Sequence, residues 1–145
     1  MRPDKGKYYL NIAAAVAARS TCLKKQYGAV IVKNDRIVST GYNGAPRGEV
    51  NCCDAGICYR DIFNAPRDTG AARHDDQYGS CVAVHAEQNA IIKADPKDME
   101  DAAMYLFCAE SQDPTPCNIC DRMIRNAGIK KLITIKGTKT YGEGT

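Results

Sequence analysis

The order of elements legible in the sequence is helix–strand–strand–helix–strand–helix–strand, which predicts an α/β protein built on one layered sheet. Three observations carry that prediction. Two early β-branched runs are separated by a polar turn, later strand-like runs alternate with helical ones, and no repeat or linker composition interrupts the 145 residues. A chain of this length fits one domain, 1–145, with room for a real core.

Lys7–Arg19 is Ala-rich, with Leu10, Ile12 and Val16 as its larger apolar residues, and reads as a helix with a buried face ending at Ser20-Thr21-Cys22. Tyr27–Val32 is short and β-branched, a strand; Lys33–Arg36 is polar and turn-like; Ile37–Tyr42 completes a hairpin. That strand runs into Gly41-Tyr42-Asn43-Gly44-Ala45-Pro46, which cannot continue as regular structure and suits a binding loop at a strand end. Asn43-Gly44 is equally an ordinary turn dipeptide. Gly44–Gly79 has two prolines, many charges and little periodicity, and forms a cysteine-bearing insert at about 44–80. A helix from His85 to about Lys93 follows, and Asp95-Pro96 is expected to end it. Ala103–Cys108 is a strand, Cys117–Asn126 a helix with Pro116 at its first turn and Gly128 as its C-cap, and Lys131–Ile135 a strand. The polar tail from Lys136 reads as a mobile lid or a partner contact.

Composition narrows the class. A chain 44% hydrophobic and 26% charged is that of an ordinary globular protein. A net charge of +3 does not indicate a nucleic-acid surface, although a small anionic substrate needs only a few local cations. No apolar run reaches transmembrane length and the first residues lack a signal peptide's apolar centre, so no membrane association and a cytoplasmic location are expected.

The chemistry concentrates in Val84-His85-Ala86-Glu87-Gln88-Asn89-Ala90-Ile91-Ile92 and Pro116-Cys117-Asn118-Ile119-Cys120. Two cysteines three apart lie one above the other on a helix face. If the two helix starts face each other, His85, Cys117 and Cys120 supply one nitrogen and two sulfurs, three sides of a tetrahedral zinc site with its fourth position open. Glu87 is not a ligand in this arrangement and is placed to handle protons, the pattern of zinc deaminases. A lone CxxC is also a redox motif or half of a structural zinc site, and a lone histidine near a helix start is commonly a cap. The agreement of four residue types and two short spacings favours the catalytic reading.

Eight cysteines in a chain with no secretion signal point to metal rather than disulfides. Cys108, within a strand, reads as a small buried residue. Cys22, Cys52, Cys53, Cys58 and Cys81 occupy or flank the irregular segment, where a structural zinc would supply the cohesion that apolar burial cannot. Neighbouring Cys52 and Cys53 point to opposite sides of an extended backbone, so one of them is the ligand; His74 is a reserve ligand, and inert thiols are the plainer alternative.

From about Tyr9 to Ile135 the sequence resembles the deoxycytidylate (dCMP) deaminases of the cytidine deaminase superfamily. The resemblance rests on Arg19-Ser20-Thr21-Cys22, Tyr27–Val32, Gly41–Pro46, the His85-Ala86-Glu87 segment and Pro116–Cys120. It implies a three-layer α/β/α fold with a mixed, about five-stranded sheet, and hydrolysis of dCMP to dUMP and ammonia. Glu87 would be the catalytic proton carrier and His85, Cys117 and Cys120 the zinc ligands; Asn43 would contact the sugar and the Ala86 backbone the base. It also implies a homo-oligomer, often a hexamer, and dCTP and dTTP effectors bound at Gly41, Tyr42, Asn43 and Gly44. Cys53, Cys58 and Cys81 match family cysteines, whereas Cys52 stands where a histidine is common, giving Cys22, Cys53, Cys58 and Cys81 as the second zinc's ligands. For the 5′-phosphate, Lys24, Lys25 and Arg47 are the nearest cations by position, with Tyr141 a further candidate. Because the chain stops soon after the fourth strand, a fifth strand or last helix is expected to be short.

Two competing readings share these features. Another zinc deaminase, acting on cytidine, guanine or tRNA adenosine, would use the same core. A non-catalytic zinc module for assembly would have no use for Glu87.

Overall fold

The computed structural model describes residues 1–63 and 81–142, so His74 lies outside the described residues. Five strands form one mixed sheet in the order β2-β1-β3-β4-β5. They are β1 (Tyr27–Lys33), β2 (Arg36–Tyr42), β3 (Ala103–Cys108), β4 (Lys131–Thr134) and β5 (Gly137–Thr140). Only β3 and β4 pair in parallel; the other neighbours are antiparallel. The hairpin turn is Asn34-Asp35, both at positive φ (52° and 59°), the geometry of a two-residue turn that matches strand twist.

The core explains the layers. β1 is buried along five consecutive residues, as a central strand covered on both faces must be. Ala29 and Ile31 face one core with Met104, Leu106 and Ile124; Val30 and Val32 face another with Tyr9, Ala13 and Tyr105. The second core is closed by α1 (Lys5–Ala17), started by Asp4, whose side chain accepts from the Lys7 N–H. The first is closed by α4 (Ala86–Lys93) and α6 (Asn118–Asn126). Truncating Ile31, Met104, Leu106 or Ile124, all fully buried, would cost about 2–5 kcal/mol each.

Three expectations are corrected. Over its described residues the tail is not a mobile lid: β5 pairs with β4, and Tyr141, 6% exposed, belongs to the same core cluster as Ile124. Asp95-Pro96 starts regular structure instead of only ending it, since Asp95 caps the short α5 (Pro96–Met99) with Pro96 at its first turn. Pro116 lies outside α6, one residue before its N-cap, Cys117. The described part of the irregular segment holds two further short helices, α2 (Cys52–Ala55) and α3 (Tyr59–Phe63).

Candidate active site

Three fastenings hold the start of α4 against the end of β2. The Ser39 hydroxyl donates to the Ala90 carbonyl at 2.7 Å, and the Asn89 side chain donates to the Tyr42 carbonyl at 2.8 Å. Gly44 and Val84 exchange backbone hydrogen bonds of 3.1 and 2.7 Å, which fixes the residue before His85. Gly41 lets the two elements touch: a Cβ there would lie 2.4 Å from the Ala86 carbonyl oxygen and from the Ala90 nitrogen. The loop therefore delivers Asn43 to the same place as Ala86 and Glu87.

His85 is the N-cap of α4 and Cys117 the N-cap of α6, so two helix starts converge. The Gln88 side-chain oxygen accepts from the His85 N–H at 2.8 Å, setting the histidine backbone; the three-residue spacing His85–Gln88 was a legible sign of this N-terminal bond. The Cys117 sulfur accepts from the Cys120 N–H at 3.4 Å. His85 Nδ1 lies 3.6 Å from Cys117 Sγ and 3.3 Å from Cys120 Sγ. Ordinary zinc–nitrogen and zinc–sulfur bond lengths in a tetrahedron place such atoms about 3.6 Å apart. Among the described residues this is the one group of three or more metal-binding side chains gathered together, its ligand atoms all within 4.8 Å.

The electrostatics match the geometry. Burial lowers the His85 pKa, favouring the neutral imidazole that can ligate. Burial raises the Cys120 thiol strongly and the neighbouring Glu87 carboxylate raises it further. Glu87, 4% exposed, has its own carboxyl raised by burial, opposed by its backbone N–H and by the Cys120 thiol. Acidic groups buried against each other are what a divalent cation relieves, because bound metal stabilises the thiolate directly. The donor set thus fits zinc.

His85, Ala86, Glu87, Cys117 and Asn43 border one cavity of about 330 Å³. Asn43 is buried, its side-chain oxygen accepting from the Tyr27 N–H at 3.0 Å and its amide donating to the Lys25 carbonyl at 2.9 Å. One lone pair and one N–H of that amide stay available to a ligand. Lys24 and Lys25 also border the cavity. Arg47 is exposed, and neither it nor Tyr141 is among the residues that do. The phenol of Tyr141 instead donates to Asp121 Oδ1 at 2.9 Å. The stretch Gly41–Gly44, expected to bind effectors, spends Gly41 on helix packing and the Tyr42 carbonyl and Gly44 backbone on the bonds above.

The other cysteines are partly where the sequence places them. Cys22, Cys58 and Cys81 border the same cavity, and the fourth member is Cys52, not Cys53. Cys52 is 8% exposed, and its thiol is raised first by burial and then by Cys22, Cys58 and Cys81. Cys53 is exposed, its N–H donating to the Thr21 carbonyl at 3.0 Å. Asn51 caps α2, and the helix sends its first two side chains in different directions, which an extended reading could not apportion. All eight cysteines are free thiols. Sequence reasoning also missed Arg60, which borders the cavity from α3.

Residues 3–136 match the zinc-binding region of cytidine and deoxycytidylate deaminases. A deoxycytidylate deaminase of Mycobacterium phage D29 is 38% identical over 132 residues, covering 91% of this chain and 94% of the relative. The deoxycytidylate deaminase of Schizosaccharomyces pombe is 34% identical over 91% of this chain, which spans 37% of that longer protein. Among solved structures, the dCMP deaminase of cyanophage S-TIM5, in complex with dCMP and dUMP, superposes with a TM-score of 0.59 at 27% identity, over 92% of this chain and 82% of that one. With its layered fold, its His–Cys–Cys group and these likenesses, the chain belongs to the cytidine and deoxycytidylate deaminase zinc-binding family.

Proposed function

We propose that this protein hydrolyses dCMP to dUMP and ammonia. The observation that carries it is the grouping of His85, Cys117 and Cys120 beside buried Glu87, in a chain 38% identical to a phage deoxycytidylate deaminase. His85, Cys117 and Cys120 would hold zinc, which when bound supplies a Lewis acid that brings the pKa of water to about 7. Glu87 takes the proton of the attacking water, delivers it to ring N3, and passes a proton to the departing amine as C4 is substituted. Ala86, at the buried start of α4, presents its backbone to the base. Asn43, cross-linked to Tyr27 and Lys25, offers its remaining amide capacity to the sugar. Lys25 is exposed beside it and supplies positive charge toward the phosphate. The test is to assay dCMP, dCTP, cytidine and a tRNA substrate side by side. Release of ammonia from dCMP at much the highest kcat/KM is expected; comparable turnover of the free nucleoside would move the activity to cytidine.

A second, structural zinc is part of the proposal, with Cys22, Cys52, Cys58 and Cys81 as ligands. Its support is their shared border on the cavity and the influence of the other three thiols on Cys52. No three of these sulfurs all lie within 4.8 Å of one another, as the ligand atoms of the His85 group do, so binding would draw them in. A homo-oligomer, hexameric by family resemblance, and regulation by dCTP and dTTP complete the reading; light scattering and assays with each nucleotide added test them. No helix among the described residues is long and apolar enough to cross a membrane, and we place the enzyme in the cytoplasm.

A further inference from the structure

Resting on the reading of Asn43 as the sugar contact, we propose that Glu110 is a positioning residue for the reaction. It clamps the strand start on which Asn43 is mounted to the loop that leads into Cys117. The Asn43 side-chain oxygen accepts from the Tyr27 N–H at 3.0 Å and its amide donates to the Lys25 carbonyl at 2.9 Å, so residues 25–27 are its mount. In an extended chain, successive residues turn their peptide groups to opposite edges. Lys25 and Tyr27 turn theirs toward Asn43, and Gln26, between them, turns its N–H and carbonyl toward the end of β3.

Glu110 is what meets Gln26 there. Tyr27 pairs with Cys108, and the Ala109 N–H carries the ladder one step further by donating to the Gln26 carbonyl at 3.0 Å. The Gln26 N–H donates to Glu110 Oε2 at 2.8 Å, where a regular antiparallel pair would offer a backbone carbonyl. The same carboxylate oxygen lies 3.6 Å from the sulfur of Cys108, which is buried at the end of β3. The Cys108 thiol is raised by burial, lowered by hydrogen bonds from the Glu110 backbone and from Tyr27, and raised again by the Glu110 carboxylate. Carboxylate, thiol and the Tyr27 side chain thus form one chain of contacts, and it ends at the cavity that Tyr27 and Asn43 border. Glu110 itself is exposed and is not among the residues bordering that cavity, so it acts through the mount and not on substrate. Residues 111–116 run from it directly to Cys117. One side chain therefore sets the place of the sugar contact relative to the approach to a metal ligand.

The test is a double-mutant cycle of Glu110→Ala with Asn43→Ala, reading kcat and KM for dCMP, the Kd of dUMP by calorimetry, and zinc content. Alone, Glu110→Ala is expected to raise KM and Kd about tenfold at the parent's zinc content, because a small displacement of a binding group is costly. In the Asn43→Ala background it should add less than about twofold, since the contact it positions is already gone. A merely structural role would give the same factor in both backgrounds. Glu110→Gln keeps an acceptor oxygen at the same reach and is expected to recover most of the loss. Glu110→Asp keeps the charge but is one methylene shorter, and is expected not to. Should Glu110→Ala not fold, the Gln and Asp variants carry the test, with KM expected about tenfold apart. Parent-like KM and Kd in Glu110→Ala, equal losses in both backgrounds, or equal behaviour of the Gln and Asp variants overturns the assignment of Glu110 alone. A parent inactive on dCMP, or an Asn43→Ala variant with the parent's KM, overturns the underlying reading and the assignment with it.

Discussion

His85, Cys117 and Cys120 converge from the starts of two helices, whereas Cys22, Cys52, Cys58 and Cys81 reach the same cavity from the loop after α1, the short helix α2, the residue before α3 and the approach to α4. In the first group every ligand is an N-cap or lies within one turn of one, and the backbones are fixed by Gln88, by the Gly44–Val84 pair and by the packing of Gly41 on α4. In the second, the segments share no sheet and little apolar core, and Cys52 alone is buried. The contrast separates two uses of sulfur. One site is preorganised by the fold and ready for chemistry; the other would itself supply the order its segments lack.

The largest expected effect falls on the preorganised site. Cys117→Ser should abolish deamination and remove one zinc per chain, since a neutral hydroxyl replaces a thiolate in a three-ligand set. Elemental analysis alongside the assay checks both halves. Next comes Cys52→Ser against Cys53→Ser. The first should lower the zinc content from about two to about one per chain and expose the segment to protease while sparing the catalytic metal. The second should change neither. A parent protein with a single zinc and alkylatable Cys22, Cys52, Cys58 and Cys81 would dissolve the contrast. The smallest effect sharpens it by control. Tyr141→Phe removes the bond to Asp121, outside both groups, and should cost about 1–2 kcal/mol of stability in a denaturant titration with kcat/KM on dCMP nearly unchanged.

How much was legible follows from the same contrast. The motifs His85-Ala86-Glu87 and Cys117–Cys120 could be read because their members lie within one helical turn, where sequence spacing is spatial spacing. The hairpin and β3 could be read because their residues are β-branched and continuously apolar. β5 could not: Gly137–Thr140 is exposed at every position and polar throughout, and only Tyr141 just beyond it is anchored in the core. The choice between Cys52 and Cys53 depended on a four-residue helix whose start, Asn51, makes no side-chain cap bond. Arg60 was hidden for a related reason, since a cation in an aperiodic stretch takes its meaning from the cavity it borders.

The central claim is that Glu87 moves the proton while His85, Cys117 and Cys120 hold the metal. It is tested most directly by turnover of dCMP in Glu87→Gln at zinc content equal to the parent's. The account predicts retained zinc and a loss of at least about 10²-fold in kcat, because the proton carrier alone is removed. Near-normal turnover with the metal in place would contradict it.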